Sequence, residues 1–130
     1  MWDFDDKPLP IVETALEDIQ YRYNLPNIYI LNTGKPYHFI AYCFSQCLWK
    51  HAVEIVASTV GVDKNFFKYG VYREHFTLRV TPKCGRKLTL VRLLESDTPE
   101  NCTVAELKSW VQYETLPDDF ESRRVQLGEP

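Results

Sequence analysis

The order of the periodic segments predicts an α/β (α+β) domain with the chain order βαββαβ, followed by a C-terminal helix. Short segments rich in β-branched and aromatic residues alternate with longer segments whose apolar residues recur at helical spacing. Two pairs of the short segments are joined only by turn residues, which makes each pair a hairpin and the sheet antiparallel. The expected architecture is RRM-like or ferredoxin-like, with both helices on one face of the sheet.

The first four elements are predicted from alternation, helical spacing and turn residues. Trp2 to Asp5 alternates apolar and acidic side chains, which is typical of a strand and directs Asp3 and Asp5 to the same face. Pro10 suits the first turn of the next helix, where its missing N–H group is not needed. The segments that follow are a helix over 10–23 and a hairpin of strands over 28–31 and 37–42.

The second half is predicted to contain one helix, a second hairpin and a last helix. Ser45 is a candidate N-cap and Gly61 a stop signal for a helix from about Ser45 to Thr59. The segment 62–70 has no clear period and is predicted to be irregular. The remaining segments are strands over 76–80 and 88–93 and a helix over 103–113.

The length and composition are those of one ordinary globular domain. The 130 residues are 45% hydrophobic and 25% charged. The domain is expected to cover 1–116, before a polar and flexible tail over 117–130. No apolar run is long enough to span a membrane, and the acidic start Met1 to Asp6 lacks the apolar core of a signal peptide. The expected location is therefore the cytoplasm.

The charge of the chain is distributed very unevenly. The formal net charge is −3, yet the segment 64–92 contains eight lysines and arginines against the single acid Glu74, a local net charge of +7. A basic stretch on an acidic protein indicates a localised anion site. The alternative is an ordinary surface of lysines and arginines on a pair of strands.

The four cysteines are expected to be free thiols, because the chain has no secretory signal. Cys43, Cys47 and His51 are spaced four residues apart and would share one face of a helix, unless Cys43 still belongs to the preceding strand. Together with Cys84 they could form a zinc site, although the spacing is not that of the usual CxxC-type sites. Buried thiols are the favoured interpretation.

Two groups of residues in the first half have the chemistry of a metal and phosphate site. Asp3 and Asp5 on one strand face offer the oxygen ligands that Mg²⁺ or Mn²⁺ requires. The hairpin from Thr33 to His38 combines a hydroxyl, a glycine turn, a cation and an imidazole, which are donors suited to phosphate. The alternatives are a solvated acidic N-terminus and a histidine that is only a structural hydrogen-bonding group.

Further candidates follow in the second half. Asp63 comes after a predicted helix and could add a third carboxylate. The basic hairpin that follows carries Arg79, Lys83 and Arg86. Cations directed toward metal-binding carboxylates would suit phosphoryl transfer, because they neutralise the charge that develops on the transferred group.

In their order along the chain, five segments resemble the motifs of the archaeo-eukaryotic primase superfamily, the primase-polymerases. The family has an acidic pair on its first strand, a Ser-Gly-Arg-Arg-Gly-x-His type motif on a hairpin, a hydrophobic-Asp motif and a closing basic segment. The matching segments of this chain are Asp3-Phe4-Asp5, Thr33 to His38, Val62-Asp63, His75 to Arg79 and Pro82 to Arg86.

The resemblance implies a primase- or polymerase-type nucleotidyltransferase core that uses Mg²⁺ or Mn²⁺. The implied substrates are nucleoside triphosphates and a single-stranded DNA template, and the implied partner is a helicase or another replication protein. The implied catalytic and metal-binding residues are Asp3, Asp5 and Asp63. The implied nucleotide-binding residues are Thr33, Lys35, His38, Arg79 and Lys83.

Three other functions were compared with the sequence, of which the second is disfavoured. A non-catalytic nucleic-acid-binding domain of RRM-like fold could present Tyr37 and Phe39 on its sheet, although two acids beside them would repel phosphate. A rolling-circle replication nuclease requires two histidines separated by one hydrophobic residue, and this chain has His38-Phe39-Ile40 instead. A protein-interaction module without chemistry is the third alternative.

Overall fold

A computed structural model describes residues 1–45, 47–76 and 88–100. Within these ranges the chain forms a four-stranded antiparallel sheet and three helices, which confirms the α+β class. The elements are, in chain order, β1 (Trp2–Asp5), α1 (Leu9–Tyr23), β2 (Ile28–Asn32), β3 (His38–Cys43), α2 (Trp49–Ala57), α3 (Lys64–Arg73) and β4 (Thr89–Leu94).

The described strands lie in the order β1-β3-β2-β4, and every neighbouring pair is antiparallel. The predicted β2–β3 hairpin is confirmed, and β1 pairs with β3. β4 pairs with β2 and not with β1. The predicted strand over 76–80 lies outside the described residues except for Phe76, as do the predicted helix over 103–113 and the tail over 117–130.

The main core lies on one face of the sheet, and all three helices pack against that face. In β1 the alternation buries Trp2 and Phe4 and leaves Asp3 and Asp5 half-buried on the opposite face. The helices contribute buried and partly buried apolar side chains to the same core, among them Val12, Leu16 and Ile19 of α1, Val56 of α2, and Phe66 and Phe67 of α3.

The predicted start of α2 is wrong, and with it the alignment of the cysteines. α2 begins at Trp49, whereas Cys43 is the last residue of β3 and pairs with Ile28 of β2. Because sheet pairing holds Cys43 in extended backbone, the residues Cys43, Cys47 and His51 do not share one helix face. Their proposed fourth zinc ligand, Cys84, lies outside the described residues.

The predicted irregular segment over 62–70 is also wrong, because α3 covers most of it. The Asp63 side chain is the N-cap of α3 and accepts a hydrogen bond of 2.9 Å from the backbone N–H of Phe66. The ring of Phe76 packs against Phe66 and against the buried Gly70. An aspartate cap before apolar residues is a helix signal. The rest of the stabilisation of α3 comes from tertiary contacts, which the spacing of apolar residues in the sequence does not reveal.

Candidate functional site

Pairing of β1 with β3 brings the two N-terminal acids next to His38. Asp5 lies directly opposite His38 in the register, and Asp3 lies opposite Ile40, one diagonal step away. Side chains that are diagonal neighbours on one sheet face are within reach of each other. The side chains of Asp3 and His38 are 21% and 23% exposed, so the contact between them is largely shielded from water.

A chain of hydrogen bonds runs from Thr33 through His38 to Asp3. Thr33 Oγ1 lies 2.7 Å from Nδ1 of His38, and Nε2 of His38 lies 2.7 Å from Oδ1 of Asp3. Since an ionised carboxylate only accepts, Nε2 carries the proton toward Asp3. Thr33 Oγ1 is also 3.3 Å from the carbonyl oxygen of His38. The hydroxyl can therefore donate to a neutral Nδ1, or accept from a protonated Nδ1 while donating to that carbonyl.

The hydrogen bond that His38 donates to Asp3 raises the pKa of His38, and partial burial of the ring opposes this shift. The charge of Asp5 raises the pKa further, while the nearby Lys35 ammonium lowers it. The carboxylate is the largest cause because it stabilises the imidazolium directly. His38 is therefore protonated to a higher pH than a free imidazole.

In the turn between β2 and β3, side chains accept hydrogen bonds from backbone N–H groups of the same turn. The backbone N–H of Gly34 donates to Oδ1 of Asn32 at 2.7 Å, and that of Lys35 lies 3.4 Å from Thr33 Oγ1. Gly34 has φ +91°, a left-handed conformation that favours glycine. Asn32 was missed by sequence reasoning, although an Asn two residues before a Gly is a recognisable turn signal. Two backbone N–H groups of the turn that was predicted to bind phosphate therefore already donate to side chains of the same turn.

The ammonium group of Lys35 forms an ion pair with Asp5 of β1. Its Nζ lies 3.3 Å from Oδ1 of Asp5, with both side chains about half exposed at 50% and 42%. An ion pair this exposed is weak and easily exchanged for another partner. The structure therefore places Thr33, Lys35 and His38 beside Asp3 and Asp5, as separate contacts around the β1–β3 pair.

Asp63, the N-cap residue of α3, contacts the backbone of Asp3. Its backbone N–H donates to the carbonyl oxygen of Asp3 at 2.7 Å, which fastens the start of α3 to β1. Asp3 and Asp63 both line an open pocket of about 230 Å³. The remaining lining residues are Asn65, Phe66, Tyr69, Gly70, Arg73 and His75. Of these, only His75 belongs to a segment that resembles a motif of the primase superfamily.

The pocket is lined by two acids, whose carboxylate oxygens are of the ligand type that a divalent cation prefers. Asp3 uses Oδ1 for His38 and Asp63 uses Oδ2 for its helix cap, so each carboxylate has a second oxygen that could face a ligand in the pocket. Mg²⁺ is commonly held by one or two carboxylates together with substrate phosphates. Within the described ranges, no three Asp, Glu, His or Cys side chains converge on one point to hold a metal ion.

Arg79 and Lys83, two of the predicted nucleotide-binding residues, lie outside the described residues. Among the helices that the structure describes, none is long and apolar enough to cross a membrane. A comparison of the chain with protein-family models, with curated proteins and with solved structures finds no match.

Proposed function

We propose that this domain is a primase- or polymerase-type nucleotidyltransferase core that joins nucleotides on a single-stranded DNA template. The observation that carries this function is the hydrogen-bonded chain Thr33–His38–Asp3, with Asp63 bonded to the backbone of Asp3. These residues come from three segments that are far apart in sequence. Their convergence on one strand pair is what a shared nucleotide site would require.

The carboxylates have the metal-binding and catalytic role. Asp3 and Asp63 would hold Mg²⁺ or Mn²⁺ in the pocket they line, and Asp5 would join them after releasing Lys35. The bound cations would neutralise the triphosphate and lower the pKa of the attacking 3′-hydroxyl. Before the nucleotide binds, His38 keeps Asp3 oriented toward the strand pair, because it holds one of the two carboxylate oxygens.

The donors around the acids have the nucleotide-binding role. In the structure His38 bonds to Asp3, and Lys35 bonds to Asp5. Binding of a triphosphate would exchange these contacts for phosphate contacts, with Thr33 still bonded to the far nitrogen of the imidazole. Arg79 and Lys83 belong to the same role through charge neutralisation of the transferred phosphoryl group.

The remaining parts of this function concern the fold and the partners. The RRM-like order would have the strand predicted over 76–80 beside β1, so that the acids lie on a central strand. The substrates are nucleoside triphosphates and single-stranded DNA, inside the cell, with a helicase or another replication protein as partner.

A second candidate is a non-catalytic relative that binds nucleic acid or a protein. The engagement of all three carboxylates by groups of the protein favours it. Asp3 bonds to His38, Asp5 pairs with Lys35, and Asp63 caps α3. A site whose three carboxylates all have partners within the protein is stable without a metal. This is expected of a domain that has kept the fold of an enzyme and lost its catalytic activity.

Nucleotide incorporation by the double variant Asp3→Asn with Asp5→Asn separates the two candidates. An enzyme should lose incorporation with Mg²⁺ and with Mn²⁺ on primed and unprimed templates, while binding of single-stranded DNA persists or strengthens as negative charge is removed. The matched control is Glu17→Gln with Glu54→Gln, which removes two exposed acids from α1 and α2. No incorporation by the wild type would reject the enzyme in favour of the binding domain. Full incorporation by the double variant would reject the assigned carboxylates.

A further inference from the structure

The outer surface of α3 combines positive charge with exposed aromatic rings. The helix Lys64–Arg73 contains three basic residues and no acid. Its inner side, with Phe66 and Phe67, packs on the core. The outer side, called the α3 surface below, consists of Lys64, Lys68, Tyr69, Tyr72 and Arg73.

Helical spacing arranges these five residues in two neighbouring rows. Lys64, Lys68 and Tyr72 are four residues apart in one row, and Tyr69 and Arg73 are four apart in the next. Lys68 Nζ and Arg73 Cζ lie 5.8 Å and 5.7 Å from the centre of the Tyr69 ring. Tyr69 therefore holds the two cations by cation–π contacts. Tyr72 is 85% exposed and presents its ring to solvent.

The α3 surface lies next to the candidate site. The N-cap of α3 is Asp63, whose N–H is bonded to the Asp3 carbonyl. Tyr69 and Arg73 line the same pocket as these two acids. A ligand lying along α3 would therefore pass the carboxylates. With a rise of 1.5 Å per residue, the helix is about 15 Å long, which limits the contact to a few nucleotides.

From these contacts we infer that the α3 surface binds single-stranded nucleic acid. Tyr72 stacks on a base, and Lys64, Lys68 and Arg73 contact the phosphates on either side of it. An exposed aromatic ring among cations is the combination that single-strand binding uses. An acidic peptide would satisfy the cations but has no base to stack on Tyr72. The inference deepens the proposed function, since it assigns the template to α3, and its choice of ligand rests on that function.

Binding of a fluorescently labelled oligothymidylate, measured by anisotropy in EDTA over a range of NaCl concentrations, tests this assignment without catalysis. Tyr72→Ala should bind roughly ten-fold more weakly, because the base loses its stacking contact with the aromatic ring. Tyr72→Phe should bind like the wild type, because the ring is kept. Tyr21→Ala is the matched control, since Tyr21 on α1 is 88% exposed but has Asp18 and Glu17 nearby.

The salt dependence tests the cations separately. Lys68→Gln with Arg73→Gln should lower the slope of log affinity against log salt by about 1.4, since each phosphate contact on a single strand contributes about 0.7. Lys50→Gln, at an exposed position of α2, should lower it by less.

Three outcomes would overturn the assignment to α3. They are wild-type affinity in Tyr72→Ala, an unchanged salt slope in the Lys68 and Arg73 variant, and equally tight binding of poly-glutamate by the wild type. If Tyr72→Ala loses binding and the wild type incorporates no nucleotide, the assignment of the ligand to the α3 surface is supported and the enzyme is rejected. The two proposals therefore fail separately.

Discussion

His38 Nε2 and Asp3 Oδ1 lie 2.7 Å apart across two neighbouring strands, and this contact couples the protonation of the site to the stability of the fold. The two residues are 35 positions apart in sequence. Their hydrogen bond therefore links β1 to β3 through side chains, in addition to the backbone pairing of the two strands.

The stability of the wild type should fall as the pH rises through the pKa of His38. The pKa in the folded state is raised above the unfolded value of about 6.5, mainly by the Asp3 hydrogen bond. The contribution is therefore complete below about pH 6.5 and is lost as the pH passes the raised folded pKa. Urea unfolding from pH 5.5 to 8.5 should show a loss of about 1 kcal/mol, since the pair is partly exposed to water.

Asp3→Asn should remove that pH dependence, because a neutral amide no longer favours the imidazolium. His51→Gln is the control, since it removes an exposed histidine from α2 and should leave the pH dependence intact. An equal pH dependence of the free energy of unfolding in the wild type and in Asp3→Asn between pH 6 and 8 would contradict the role assigned to the His38–Asp3 contact.

Asp63 should have a structural role and a chemical role that two substitutions can separate. Asp63→Ala removes the N-cap of α3 and should cost about 1 kcal/mol of stability. Asp63→Asn keeps a capping oxygen and should be nearly as stable as the wild type. If Asp63 binds a metal, both variants should lose Mn²⁺ affinity, measured by isothermal titration with nucleotide present. Retention of that affinity in Asp63→Asn would leave Asp63 as a helix cap only.

Gly70 should tolerate no side chain while Phe76 is in place. A Cβ built on Gly70 would overlap the ring of Phe76, so the ring would have to move. Gly70→Ala should therefore destabilise the domain by about 1–2 kcal/mol, because overpacking outweighs the better helix propensity of alanine. In a Phe76→Ala background the same substitution should be neutral or stabilising. Equal effects of Gly70→Ala in the two backgrounds, measured by chemical denaturation, would contradict this contact.

Part of the candidate site could be predicted from sequence because it depends on local rules. Alternation in β1 predicts that Asp3 and Asp5 share a face, and the half-burial of both residues confirms it. The turn residues predict the hairpin that carries His38. The pairs Lys35–Asp5 and Thr33–His38 were not predicted as contacts, because they depend on side-chain directions at the end of the hairpin.

The sequence by itself determined the order β1-α1-β2-β3 and which residues of β1 share a face. Both follow from the period of the backbone and from turns between neighbouring segments. The tertiary structure decided where α2 begins, that α3 exists, and that β4 pairs with β2. It also decided that Asp63 meets Asp3. Each of these depends on contacts between residues far apart in the chain, such as the ring of Trp49 on that of Phe76 and the Asp63 N–H on the Asp3 carbonyl. Their free energy comes from burial and hydrogen bonding in the assembled fold, and no local pattern encodes it.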